Sequence, residues 1–259
     1  MDLGLGGRTA IVAASSRGLG KAVAVALAAE GANVVMFARD KTAIEAAARE
    51  VGERAVGLAA DATNLSDLER VVKTAVDRFG GVDIVYNNAG GPKPGMFDAL
   101  SDEDWQNAVE LNLLSAIRLT RLCLPHMKTK KWGRVITGTS SAVKQPIANL
   151  MLSNSVRSAT TAWSKTLADQ VAADGITVNT VAPGRIKTER LQQIDADSAE
   201  RSGRSLEEVT RESIKAIPIG RYGEPREFGA AVAFLASEAA SYITGVMLLV
   251  DGGMVRGTY

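Results

Sequence analysis

A doubly wound α/β sheet of seven mainly parallel strands, with helices on both faces in a single domain, is predicted by three observations. Short β-branched runs alternate with alanine-rich stretches of helical period along the chain. Seven strand candidates are separated by segments long enough for helices, which suits parallel pairing. No Pro, Ser or Gly-rich linker divides the 259 residues, and α/β chains of this length often remain one unit.

The elements run in order along the chain. Thr9 to Ala13 is the first strand and Lys21 to Glu30 its helix; Asn33 to Phe37 precedes a helix from Thr42 to Val51, and Ala55 to Ala59 one from Leu65 to Phe79. Val82 to Tyr86 leads to a long helix around Asp102 to Met127, then Gly133 to Thr137, a helix around Asn154 to Ala173, and the strands Thr177 to Val181 and Val246 to Val250. Ser101 with Asp104, and Ser205 with Glu208, have capping-box spacing, and Pro225 suits a first helical turn. Arg185 to Lys215 carries both charge signs, sparse apolar residues and no strand candidate, so it reads as a mobile, partly helical excursion over a substrate.

Composition narrows the function. The chain has 30 Lys plus Arg against 29 Asp plus Glu, a formal charge of +1, so no long-range field points to nucleic acid or an acidic membrane. Lone Cys123 forms no internal disulfide, and Met1, Asp2 and Leu3 do not open as a secretory leader does. The expected address is the cytoplasm. Apolar stretches are interrupted by charge before the ~20 residues a spanning helix needs; even Ala230 to Val250 contains Glu238.

Chemistry first appears after the first strand, in Ala13-Ala14-Ser15-Ser16-Arg17-Gly18-Leu19-Gly20. Small residues let a backbone approach a pyrophosphate, and free amides at a helix start favour its charge. Taken alone, this turn also fits a tight strand-to-helix connection with no ligand. Further segments join it: Asn87-Asn88-Ala89-Gly90, Asn179 to Gly184 followed by Ile186 and Thr188, Arg221 to Pro225, and Val250-Asp251-Gly252-Gly253.

In this combination and order, from about Leu5 to Gly253, the sequence resembles the short-chain dehydrogenase/reductase family, particularly its 3-oxoacyl-carrier-protein reductase-like members. The resemblance implies a Rossmann-type sheet and a pyridine dinucleotide. The family's Gly-x-x-x-Gly-x-Gly turn falls on Ala14, Gly18 and Gly20, with alanine replacing the first glycine. Ser15, Ser16 and Arg17 remain to hold phosphate, with Leu19 between the glycines. Asp61 and Ala62 match the adenine contact. Asn87 to Gly90 is expected to pass beneath the adenosine ribose, with Asn88, Ala89 and Gly90 binding it, and Pro183, Gly184, Ile186 and Thr188 are expected beside the nicotinamide carboxamide.

Cofactor choice is set after the second strand, where a carboxylate would select a free ribose 2′-hydroxyl. Here Phe37-Ala38-Arg39 has no acid, and Arg39 with Arg17 offers two permanent charges to a 2′-phosphate. NADP(H) is therefore expected over NAD(H). The alternative is that Arg39 pairs with Asp40 or Asp61 on a solvated rim.

The catalytic positions depart from the family's pattern. Its Asn and Ser match Asn112 and Ser140; its Tyr-x-x-x-Lys pair falls on Ser153-Asn154-Ser155-Val156-Arg157. A serine hydroxyl is far less acidic than a phenol, and arginine does not deprotonate in proteins, although its fork can hold ribose hydroxyls and stabilise an oxyanion. The other tyrosines do not match proton-donating positions; C-terminal Tyr259 could reach a neighbouring subunit. His126 reads as a surface or capping residue, and a sole histidine leaves no zinc cluster.

The resemblance thus implies an NADP(H)-dependent oxidoreductase passing hydride to a carbonyl, conjugated alkene or imine of a small-molecule or acyl-thioester substrate through an atypical catalytic set. A catalytically impaired nucleotide-binding regulatory or scaffold protein is the alternative, with dehalogenation or isomerisation third. The resemblance also implies a homotetramer or homodimer, packed through the C-terminal strand and the apolar helix before it.

Overall fold

In the computed structural model, residues 2–258 are described, and the expectation for Tyr259 lies outside them. The strands are β1 (Thr9–Ala13), β2 (Asn33–Ala38), β3 (Ala55–Ala59), β4 (Ile84–Asn87), β5 (Gly133–Gly138), β6 (Ile176–Pro183) and β7 (Met247–Val250). They form one sheet in the order β3-β2-β1-β4-β5-β6-β7, and every pairing is parallel. The order reverses between β1 and β4. Loops leaving neighbouring strands diverge there and open a crevice at the carboxyl edge.

Period-two alternation divides the core. Ala10 and Val12 of β1, Val34 and Met36 of β2 and Ile84 and Tyr86 of β4 face α1 (Gly18–Ala29), α2 (Lys41–Val51) and α9 (Pro225–Ala236). Ile11, Ala13, Val35, Phe37, Val85, Val135 and Val178 face α3 (Leu65–Phe79), α5 (Ser115–Lys130) and α6 (Met151–Val171). Val12, Val35, Ile84 and Val135 are fully buried, as expected of a parallel sheet covered on both faces.

Two expectations change. The first helix begins at Gly18, three residues earlier than expected, so the glycines lie in its first turn. The single helix expected around Asp102 to Met127 becomes α4 (Asp102–Val109), a π-helical turn (Glu110–Leu114) and α5. An extra residue in that turn rotates α5 relative to α4, and Asn112 lies inside it, buried. Both capping boxes form, Ser101 with Asp104 and Ser205 with Glu208, and Pro225 opens α9.

The 185–215 excursion holds α7 (Glu189–Ser202) and α8 (Leu206–Lys215). Its sparse apolar content concealed a polar anchor: buried Asp195 accepts a bond from Arg185 at 3.0 Å and another from the Tyr222 hydroxyl at 2.6 Å. Burial and the Asp195 carboxylate raise the Tyr222 pKa above its ordinary value. No helix among the described residues is long and apolar enough to cross a membrane.

Candidate active site

The carboxyl edge collects the expected residues from several elements. At the end of β1, Ala14 adopts φ +49°. This left-handed conformation costs a residue with a Cβ about 1–2 kcal/mol, so the alanine is strained where the resembled family has glycine. The turn stays tight because Gly20 packs on it: a Cβ on Gly20 would collide with the Ala14 carbonyl oxygen. Ala14→Gly is expected to stabilise the fold by roughly 0.5–1 kcal/mol, the relief of strain exceeding the added freedom of the unfolded chain. Urea unfolding of both proteins measures it, and a less stable glycine variant contradicts the strain.

The turn's side chains divide. The sequence offered the Ser15 hydroxyl to a phosphate, but it is buried and donates to the Val12 carbonyl at 2.8 Å, so it locks the turn. Half-buried Ser16, Gly18 and Leu19 and exposed Arg17 carry the rest of that expectation. Arg17 occupies the N-cap position of α1 without a side-chain cap, leaving the first-turn amides unclaimed. Its guanidinium reaches Glu189, at the start of α7, at 2.9 Å; no local pattern signals a partner 172 positions away.

Arg39 is exposed and forms no ion pair among the described residues. The rim pairing is not what the structure contains, because both acids are engaged elsewhere: Asp40 caps α2 through the Ala43 amide, and Asp61 accepts bonds from the Thr63 amide and hydroxyl at 2.9 and 2.8 Å. Ala62, Asn87 and Asn88 line one small crevice with Ala13 and Phe37. Asn88 donates to the Ala13 carbonyl at 3.5 Å, tying the β4 exit, with Ala89 and Gly90 following it, to the phosphate turn. Gly184, whose amide bonds the Val250 carbonyl, follows Pro183, and Ile186 bridges to Gly223. Thr188 caps α7 through the Leu191 amide.

The four expected catalytic positions lie on the loop after β5, in the π turn and on α6. Ser140 follows β5; its Oγ accepts the Ala142 amide at 3.1 Å, so its own proton is free to donate. Ser153 and Arg157, one turn apart on α6, face inward, 8% and 9% exposed. Arg157 Nη1 donates to the Gly138 carbonyl at 2.9 Å, fixing the guanidinium to the end of β5. Asn112 is held to α6 by its main chain, whose carbonyl accepts the Thr160 hydroxyl at 3.0 Å. Both polar atoms of its side chain are buried without a partner.

Sequence reasoning missed the neighbour of this cluster. The Tyr86 hydroxyl is buried and unpartnered, and a Cβ on Gly138 would stand 2.5 Å from it. Gly138 therefore makes room for the phenol on one side while its carbonyl seats Arg157. Burial raises the Tyr86 pKa and lowers that of Arg157; the interaction between the two groups opposes each shift. The detectable signal was a glycine at the end of a strand, which marks a close approach.

Comparisons with known proteins agree with this architecture. A family model described as enoyl-(acyl carrier protein) reductase matches residues 13–255. The 3-oxoacyl-[acyl-carrier-protein] reductase FabG of Vibrio cholerae is 37% identical over 252 residues, 97% of this chain and 99% of the relative. Among solved structures, L-sorbose reductase from Gluconobacter frateurii, complexed with NADPH and L-sorbose, superposes with a TM-score of 0.94 at 33% identity, covering 99% of this chain and all of that one. YwfH, an NADPH-dependent reductase involved in bacilysin biosynthesis, gives 0.91 at 29% identity over 96% of this chain and 99% of its own. Near-complete coverage of both sequence and sheet by such reductases places the chain in the short-chain dehydrogenase/reductase family.

Proposed function

We propose that the protein is an NADP(H)-dependent reductase in which serine and guanidinium stand where the resembled family has phenol and ammonium. The observation carrying this reading is the seating of Arg157: buried on α6, one turn from Ser153, and bonded at 2.9 Å to the carbonyl of Gly138 at the carboxyl end of β5. The residues present fit the cofactor. The phosphate turn is closed by Gly20, the first amides of α1 are uncapped, and Arg17 and Arg39 provide cations for a 2′-phosphate.

When bound, NADPH supplies a hydride, two electrons and one proton together, to an electrophilic carbon of the acceptor. The chain orients that acceptor and carries the charge that develops. Ser140 and Ser153 would donate to its oxygen or nitrogen, and Arg157 would hold the ribose hydroxyls and offset the negative charge. Asn112, with an unpartnered buried amide, would order the water chain delivering the balancing proton. Such a site serves conjugated alkenes or imines better than simple ketones, since protonation there can come from solvent or substrate.

Arg157→Ala is expected to raise the NADPH dissociation constant about ten- to a hundredfold, because a hydrogen bond to a charged group contributes about 1.5–3 kcal/mol. Ser153→Ala should change it by less than about threefold, the scale of a neutral bond at the low end. Fluorescence titration with NADPH distinguishes the two, and the reverse ranking overturns the role given to Arg157. NADPH oxidation on a panel of oxoacyl thioesters, enones and imines tests turnover; tight binding with no oxidation favours the regulatory or scaffold reading. Assembly into a homodimer or homotetramer is part of this proposal, supported by partly exposed Phe234 on α9 and Val246 before β7.

A further inference from the structure

Four charged side chains are buried among the described residues: Asp83, Arg134, Arg157 and Asp195. Three have a partner of opposite sign. Asp83 meets Lys130 at 2.8 Å, Arg134 meets Glu238 at 3.5 Å, and Asp195 meets Arg185 at 3.0 Å. Arg157 has none among the described residues, and the one bond its guanidinium makes goes to a neutral carbonyl. Five N–H groups and a full charge thus find a single acceptor.

Burying an unpaired charge is expensive, by several kcal/mol even after relaxation. The cost shows as the lowered pKa of Arg157, for which desolvation is the leading cause, though arginine stays protonated in proteins. Tyr86 opposes that shift in part, and no acidic side chain adds to that opposition. From Leu111 to Ala168, the stretch that supplies α5, β5, the loop after it and most of α6, there is no Asp or Glu, against Arg118, Arg121, Lys128, Lys130, Lys131, Arg134, Lys144, Arg157 and Lys165. The polar groups on the elements around Arg157 are neutral: the Ser140 hydroxyl has its proton free, and the unpartnered Tyr86 hydroxyl and Asn112 amide can each donate or accept but supply no opposite charge. A cofactor seated as proposed brings neutral ribose hydroxyls to Arg157 and directs its phosphates toward the start of α1.

We infer that the acceptor is an anion, carrying a carboxylate that pairs with Arg157 in the loaded site. This rests on the reductase reading and narrows its substrate class to oxo or unsaturated carboxylic acids. The pairing supplies the missing counter-charge, and the guanidinium fork matches a carboxylate geometrically.

The test uses full-length protein saturated with NADPH and probe pairs of equal shape: benzoate with benzamide, and crotonate with crotonamide. Binding is followed by calorimetry or cofactor fluorescence. The expected result is that each carboxylate binds at least about tenfold more tightly than its amide, as a desolvated ion pair worth over about 1.4 kcal/mol requires. The preference should vanish in Arg157→Gln, persist in part in Arg157→Lys, and survive in Lys144→Gln, which removes an exposed cation of the neighbouring loop.

Equal or undetectable binding of the carboxylates to the NADPH-loaded protein overturns the inference while leaving the reductase reading intact. A preference that disappears with Lys144 instead of Arg157 overturns it as well. Failure to bind NADPH at all overturns the reductase reading, and this inference falls with it. The wild-type comparison needs no variant, so a misfolded Arg157→Gln protein does not shield the proposal.

Discussion

Ser153→Tyr combined with Arg157→Lys is expected to raise kcat/KM for ketone reduction by NADPH about 10²- to 10⁴-fold, the range a positioned general acid contributes. The two residues lie one turn apart on the inward face of α6, so a phenol and an ammonium placed there would be neighbours. The ammonium lowers the phenol's pKa by favouring its charged form, and the Gly138 carbonyl that now accepts from Arg157 remains available to a lysine. The double variant should also gain a pH dependence: the donor works protonated, so kcat/KM falls as pH rises through the phenol's pKa. Steady-state NADPH oxidation with a ketone, across pH and beside a cofactor titration, measures both effects. A folded variant that binds NADPH yet gains nothing contradicts the placement of these residues at the reacting atoms.

Arg39→Glu is expected to change the ratio of NADPH to NADH affinity by roughly 10²-fold or more, inverting the preference. A charge-assisted contact of about 1.5–3 kcal/mol is lost, and a carboxylate then repels the 2′-phosphate while accepting a bond from a free 2′-hydroxyl. The competing rim pairing is absent, since Asp40 caps α2 and Asp61 holds its own turn. Arg39 therefore needs no released partner before meeting a phosphate. Paired titrations with both cofactors decide the matter, and an unchanged ratio refutes the role assigned to Arg39.

Much of this molecule was legible from local pattern. The short apolar runs at Thr9–Ala13 and Ala55–Ala59 agree with the observed strands to the residue, the first fully buried inside the sheet and the second half-buried at its edge. Capping boxes at Ser101 and Ser205 were equally readable, since both partners lie within four residues. The π turn was not: its register shift leaves no compositional trace, yet it rotates Asn112 inward.

The candidate site divides the same way. Periodicity puts Ser153 and Arg157 on one helical face, and the family resemblance draws attention to them. Their environment depends on residues distant in sequence. Gly138 seats Arg157, Tyr86 fills the space opened by that glycine, and Asn112 meets α6 through Thr160. The Ser15 hydroxyl illustrates the converse: an apparent phosphate ligand by position turns back to its own strand.

By itself, then, the order of residues determined the strand and helix succession and the parallel sheet, and it nominated the groups proposed for the carboxyl edge. Periodicity and short-range hydrogen bonding are encoded within a few positions, which makes them readable without coordinates. Only the tertiary structure decided that Arg157 is a buried cation with no counter-charge among the described residues, that Ala14 is held at positive φ, and that Arg17 leans on Glu189. Desolvation, strain and pairing are properties of an environment assembled from distant segments, and no window along the chain contains them.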